Sequence, residues 1–292
     1  MPNPINPEFN AASFVVEREL AANRLAQYVT RNRCRRYLRL ALFPSEAYLL
    51  KERYGVEFES LSQLLSAEGQ TYEREKVGAL GRLGERVVDL TNKKPADFIR
   101  ELGRQAQGRV YYYQPALEGF IGGWACKGAA DLIEATKRPD GSFDCVVIDI
   151  KASPRETVGY RLQVAFYAVL LRGSMLANDF DVASLDGAIA ARDSDLAEGK
   201  WNIFPLALFI DEVERLIAAP DSDVARAVSE TFESAPYHLG PHCDGCPYNS
   251  LCFIDTAERE DLSLVPLLSA TEKSALRAEG VRTVRELAGL MN

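Results

Sequence analysis

Cys243, Cys246 and Cys252 stand in the run Cys-Asp-Gly-Cys-Pro-Tyr-Asn-Ser-Leu-Cys, and a fourth cysteine, Cys34, stands in Arg-Asn-Arg-Cys-Arg-Arg-Tyr near the other end of the chain. Four thiolates can complete an iron–sulfur cluster or a tetrahedral zinc site. Between them lies a second constellation, Gly128-Ala-Ala-Asp131-Leu-Ile and Val147-Ile-Asp149-Ile-Lys151. Asp149 and Lys151 are two apart in a run of strand character, so they share a face. Carboxylates there can hold a hard divalent cation, Mg2+ or Mn2+, through oxygen ligands. The lysine can stabilise charge or orient an attacking water. Glu73, in Gly69-Gln-Thr-Tyr-Glu73-Arg, is a further candidate ligand. An acid and a base ending the apolar run Val146-Val-Ile148 are costly unless paired or solvated in a cleft. Gln163 and Tyr167, at i and i+4 of a following helical run, also share a face. Cys126 and Cys145 lie in apolar strand patterns and read as buried small hydrophobes.

The elements that must position these residues follow from periodicity. Helical spacing runs from about Glu17 to Thr30, from Leu61 to Leu90, and from Thr157 to Leu176. Pro95 opens a short helix. Arg109 to Glu118, Phe120 to Lys127, Ala129 to Lys137 and Phe143 to Lys151 read as strands, with Pro139-Asp140-Gly141 as a hairpin turn. That turn brings residue 131 opposite residue 150, give or take one, so Asp131 and Asp149 arrive at the same end of two paired strands. Further strands are expected at Leu185 to Ala191 and Ile203 to Phe209, then helices to about Ser234. Helices, an antiparallel meander, a helix and more strand imply a mixed sheet flanked by helices, in an α/β or α+β core.

The 292 residues, 47% hydrophobic, suffice for one sizeable α/β domain with appendages. No apolar run approaches the roughly 18 residues of a membrane span. The N-terminal Met-Pro-Asn-Pro-Ile-Asn-Pro has neither a basic nor an apolar leader region, so no secretory signal is expected. The cytoplasm is the expected compartment, where clustered thiols usually bind metal. A net charge of −8 argues against a general nucleic-acid coat but leaves a nuclease open, since phosphate binding needs only a local basic stripe. Arg31, Arg33, Arg35, Arg36 and Arg39 form one candidate stripe around Cys34, with a solvated helix face as the plain alternative.

Asp131 in Gly-Ala-Ala-Asp131, Asp149-Ile-Lys151 and Gln163-Val-Ala-Phe-Tyr167, in that order and spacing, resemble the PD-(D/E)XK nucleases of the RecB-like branch. Cys34 upstream with Cys243, Cys246 and Cys252 downstream resembles the iron–sulfur variant found in CRISPR-associated RecB-like exonucleases and in the AddB nuclease. The resemblance covers roughly Arg18 to Asp255. It implies a restriction-endonuclease-like fold, a divalent metal held by Glu73, Asp131, Asp149 and the Ile150 carbonyl, and Lys151 assisting hydrolysis by a metal-activated water. It also implies that Gln163 and Tyr167 help position DNA and the lysine. Many relatives carry a histidine where Tyr72-Glu73 stands here, which leaves metal preference and exonuclease strength open. Zinc ribbons usually pair two Cys-x2-Cys knuckles, so the lone upstream cysteine favours a [4Fe–4S] cluster over zinc.

The expected activity is therefore a metal-dependent deoxyribonuclease, an exonuclease on single-stranded or free DNA ends, with a helicase or another repair or defence protein as a possible partner. The alternatives are a non-catalytic nucleic-acid-binding subunit and a zinc-stapled interaction protein. Leu264 to Leu290 resembles a helix–hairpin–helix unit, with Leu268-Ser269-Ala270 standing where glycines are expected, and partner docking rivals DNA contact there. The expected divisions are a flexible arm over 1–14, the nuclease domain with its cluster over 15–260, and this small tail over 261–292. The sequence ends just after the tail, as part of a longer protein would. Polarity and oligomeric state have no sequence signal.

Overall fold

The computed structural model describes residues 19–58, 63–154, 156–192, 194 and 201–290. The arm expected over 1–14 lies outside the described residues. In chain order the elements are β1 (Glu19–Ala21), α1 (Ala22–Thr30), α2 (Arg35–Leu42), α3 (Pro44–Tyr54), α4 (Gln63–Arg82), β2 (Val87–Asp89) and α5 (Pro95–Gly103). Then come β3 (Gly108–Tyr113), β4 (Ala116–Ile121), β5 (Trp124–Ala129), β6 (Leu132–Lys137), β7 (Phe143–Ile150), α6 (Val158–Leu176), β8 (Val182–Ala190) and β9 (Asn202–Phe204). The helices α7 (Ala207–Ile217), α8 (Asp223–Ser229), α9 (Asn249–Glu258), α10 (Ala270–Ala278) and α11 (Val284–Gly289) follow. Among these, no helix is long and apolar enough to cross a membrane.

The described residues form two compact units, one of residues 19–33 and 63–225, the other of residues 34–58 and 226–290. The larger unit carries a six-stranded mixed sheet in the order β2-β3-β6-β7-β8-β9 and a smaller mixed sheet in the order β1-β5-β4. β3, β6 and β7 pair antiparallel, whereas β7 and β8 run parallel. A parallel pair needs a long crossover, and α6 supplies it. That helix buries Leu162, Val164, Ala165, Phe166 and Leu170, and packs on β7, β8 and β4. The α/β class and the mixed sheet flanked by helices are as expected.

Several boundaries differ from the sequence reading. The helical run from Glu17 begins instead with β1, which pairs with β5 before α1 starts. The run from Leu61 stops at Arg82, where Gly84 adopts a positive φ of 84° and the β-branched pair Val87-Val88 enters the sheet as β2. Phe120 to Lys127 is a hairpin rather than one strand. Ile121 pairs with Trp124 across Gly122 and Gly123, whose φ values of 55° and 83° suit a turn with two left-handed central residues. The strand expected over Ile203 to Phe209 ends at Phe204, because Pro205 has no N–H to donate to a ladder, and α7 begins at Ala207.

The smaller unit is helical, with Leu40, Ala47, Leu50, Phe232 and Leu251 in its core. Of the arginines near Cys34, Arg36 and Arg39 are buried in this unit rather than lying in a solvent stripe, whereas Arg33 is exposed. Arg36 is 0% exposed and Arg39 2%. Arg36 donates from Nη1 to Asp255 Oδ2 at 2.8 Å and from Nε to the Phe232 carbonyl, and lies between the rings of Phe232 and Tyr237. Arg39 pairs with Glu46 at 2.6 Å and donates to the Val228 carbonyl. Arg35 pairs with Glu230. In the larger unit, Arg33 pairs with Glu212 and Arg31 bonds Gln27.

The tail is a pair of capped helices. Ser269 with Glu272, and Thr283 with Glu286, form capping boxes at the starts of α10 and α11. Buried Lys273 donates to Asp261 Oδ1 at 2.6 Å, Ser263 Oγ and the Tyr237 carbonyl. Leu267, in the turn before α10, has a positive φ of 66°, the conformation a glycine takes without strain.

Gly122 and Gly123 test the β4–β5 turn. A Cβ on Gly122 would lie 2.2 Å from the Ala218 Cα, whereas one on Gly123 meets nothing within 4 Å. Gly123→Ala should cost about 1–2 kcal/mol, the left-handed penalty alone. Gly122→Ala should cost about 1–3 kcal/mol more through overpacking. Denaturant unfolding of the two variants measures the difference.

Candidate active site

The site lies at the end of β6 and β7. Leu132 pairs with Ile148, so Asp131, one residue earlier, falls opposite Asp149. Its carboxylate turns back to the neighbouring strand, where Oδ2 accepts the Ile150 N–H at 2.8 Å. The Lys151 amine completes the group, 2.7 Å from Asp149 Oδ1 and 3.6 Å from Asp131 Oδ2. The Lys151 N–H donates to the Ala190 carbonyl of β8, which continues the parallel pairing and directs the side chain back to the aspartates.

Glu73 comes from α4, on the segment whose Val77 and Leu80 pack into the sheet core with Leu132, Ile148 and Ile150. It accepts a hydrogen bond from Gln114 Nε2 at 3.0 Å. From α6, Gln163 and Tyr167 reach toward the same end and hydrogen-bond each other. Tyr167 packs against Gly128, where a Cβ would come within 2.7 Å of the ring. Only glycine allows that approach. The four charged residues expected from sequence are thus linked through shared charge and hydrogen bonds.

Electrostatics at this end are dominated by burial. Asp149 is 2% exposed, and desolvation pushes its carboxyl well above the usual range, with the Asp131 charge adding and Lys151 opposing. Glu73 is raised by burial first and then by Asp131, while Gln114 and Tyr113 pull it down. For Lys151, desolvation works downward, but Asp131 and Asp149 outweigh it and hold the amine protonated. Burial and the two aspartates also raise the Tyr167 hydroxyl.

Among the described residues, no three His, Cys, Asp or Glu side chains stand at metal-ligand spacing. Lys151 bridges the aspartates in this arrangement. The donor set nonetheless suits a hard cation. Asp149 Oδ2 is buried with no hydrogen-bond partner. Such an atom is rare unless something absent satisfies it. Carboxyls raised by a neighbouring carboxylate are those a divalent ion relieves.

The four cysteines named from sequence lie within the helical unit, near enough for their charges to act on one another, though not at metal-ligand spacing. Cys34 precedes α2, Cys243 ends a short turn at Pro241–Cys243, and Cys252 lies on α9. Burial raises the Cys34 thiol, with the charges of Cys246 and Cys243 adding to it. Burial likewise pushes Cys252 up to about 12, with Cys34 and Cys246 adding and Arg36 opposing. All four are free thiols. The buried Arg36 guanidinium also reaches Cys252, and a cation beside four thiols suits an anionic thiolate-bound group. Cys126 and Cys145 are buried in β5 and β7, as their strand patterns imply.

Sequence reasoning missed three residues here. Tyr113 and Gln114 carried no local signal, because their part depends on how β3 ends. Tyr160 places its ring 5.4 Å from Lys151 Nζ, and its position one turn before Gln163 was the available clue.

A mixed sheet carrying two aspartates and a lysine at the end of adjacent strands, under a helix bearing Gln163 and Tyr167, defines a nuclease core. The chain belongs to the PD-(D/E)XK nuclease superfamily, whose model matches residues 35–253. Nucleases of this superfamily act on DNA with divalent metals such as Mg2+ or Mn2+. A solved structure titled "Crystal structure of SSO0001" is similar at 14% identity, over 82% of this chain and 88% of that one, with a TM-score of 0.33. No curated protein matches the chain.

The raised Glu73 and Asp149 carboxyls set an expected pH dependence. A raised carboxyl keeps its proton at a pH where an ordinary one has lost it, and the proton excludes a cation. Mn2+ affinity, measured by calorimetry on the protein without DNA, should therefore fall as pH is lowered, beginning above the ordinary carboxylate range of about 4.

Proposed function

We propose that the chain is a metal-dependent deoxyribonuclease of the RecB-like kind, an exonuclease on single-stranded DNA ends, with a structural [4Fe–4S] cluster on Cys34, Cys243, Cys246 and Cys252. One observation carries the catalytic reading: Asp131 and Asp149 lie side by side at the end of paired strands, with Lys151 between them. Glu73, Asp131, Asp149 and the Ile150 carbonyl would hold the divalent ion. A bound ion supplies Lewis-acid stabilisation of the charge that develops on phosphate oxygens.

The chain's own residues take the remaining roles. Lys151 is held protonated by two carboxylates, so it acts as a hydrogen-bond donor and positive charge toward the phosphate, and not as a base. Tyr167 and Gln163 orient the lysine and the strand being cut. Tyr160 limits where the Lys151 amine can swing. What supports the cluster is that the four thiols lie in one unit and act on one another's charge, with Arg36 nearby as a cation that offsets the negative charge of a thiolate-bound cluster.

End-labelled single- and double-stranded DNA with Mn2+ or Mg2+ tests the chemistry. Asp149→Ala and Lys151→Ala should each lose roughly 10²-fold or more of the rate, as removal of a preorganised charge does. Degradation by both variants at the wild-type rate would place the activity elsewhere. Protein purified without oxygen should be brown and contain iron, and Cys34→Ser should lose the colour. A colourless protein containing zinc would replace the cluster by a zinc site on the same four thiolates.

A further inference from the structure

Tyr113 and Gln114 are consecutive, yet Gln114 donates a hydrogen bond to the Glu73 carboxylate and Tyr113 acts on the same carboxylate, pulling it down. In an uninterrupted strand their side chains would point to opposite faces. The backbone shows how this is avoided. Gln114 follows the last residue of β3 with a φ of 49°, in the left-handed region. That conformation costs a non-glycine residue about 1–2 kcal/mol. The Pro115 that follows disfavours helical conformations there still further. Strain of this kind persists only where surrounding bonds over-determine it.

Those bonds all lead to the acidic end. The Gln114 N–H donates to the Asp131 carbonyl at 3.1 Å, and its Nε2 donates to Glu73 Oε1 at 3.0 Å. The Pro115 carbonyl accepts the Ala130 N–H at 3.2 Å, which closes the bend against the residue before Asp131. One strained residue thus joins a carboxylate on α4 to the backbone of the aspartate that opens β6.

We propose that Gln114 is a positioning residue that holds the Glu73 carboxylate on the side facing Asp131, so that both can serve one divalent cation. The choice of an amide has a chemical reason. A neutral donor orients one carboxylate oxygen and leaves both the charge and the second oxygen available, whereas a lysine or arginine would compete with the ion. This inference rests on the reading of the site as a cation site.

Two variants separate the side chain from the backbone. Gln114→Gly keeps the left-handed bend and its N–H and removes the amide. Gln114→Met keeps the length and removes only the donor. With Mn2+ and no DNA, calorimetry should show affinity lowered about tenfold or more in both, as loss of a ligand's supporting hydrogen bond does. The metal-free melting temperature of Gln114→Gly should equal or exceed that of the wild type. DNA cleavage should recover to within a few-fold when Mn2+ is saturating. Wild-type Mn2+ affinity in both variants would overturn the proposal, and so would a loss of cleavage that saturating Mn2+ does not restore. Asp149→Ala serves as the reference. If it binds Mn2+ as the wild type does, the cation-site reading fails and the Gln114 role with it. If it loses Mn2+ while the Gln114 variants do not, only the Gln114 role fails.

Discussion

The pairing register of β6 and β7 is the constraint on which this site depends. Because side chains alternate along a strand, a slip of one residue would turn Asp149 into the sheet's other face and leave Lys151 without its partners. The bond from the Ile150 N–H to Asp131 Oδ2 reinforces that register with the functional residue itself. Around it, Ile148, Ile150, Leu132, Val77 and Leu80 form the core that keeps α4 and the strands in fixed relation. The apolar packing is therefore what holds three carboxylates closer together than they would stand in water.

Buried charge recurs in the helical unit under different terms. Arg36 meets Asp255, a carbonyl and two aromatic rings, although its Nη2 is buried without a hydrogen-bond partner, and Arg39 meets Glu46 and a carbonyl. Breaking such a pair typically costs several kcal/mol, since it leaves one charge buried alone. At the acidic site Asp149 Oδ2 likewise has no hydrogen-bond partner, and its neighbours are another aspartate and a single lysine.

The arginine run shows where local reading goes wrong. Five arginines around a cysteine suggest a basic surface, yet Arg36 and Arg39 are buried and Arg33 and Arg35 are paired. Their partners, Glu46, Asp255, Glu212 and Glu230, are scattered along the chain, so neither helical spacing nor charge counting could find them. The late strand went wrong for a local reason. Pro205 was visible, and its missing donor stops β9 where the apolar pattern continues.

Residue types, spacing and hairpin geometry determined much by themselves. The Asp140-Gly141 turn brought Asp131 and Asp149 to one end of a strand pair, and the four-residue interval put Gln163 and Tyr167 on one helix face. Both follow from short-range stereochemistry, which a sequence carries in full. Tertiary structure decided what those residues meet: the desolvation of Asp149, the capture of Lys151 by two acids, the reach of Tyr160, and the Gln114 bend that turns two consecutive side chains onto Glu73. These depend on segments far apart in the chain closing on one another, and burial and long-range pairing arise only when they do.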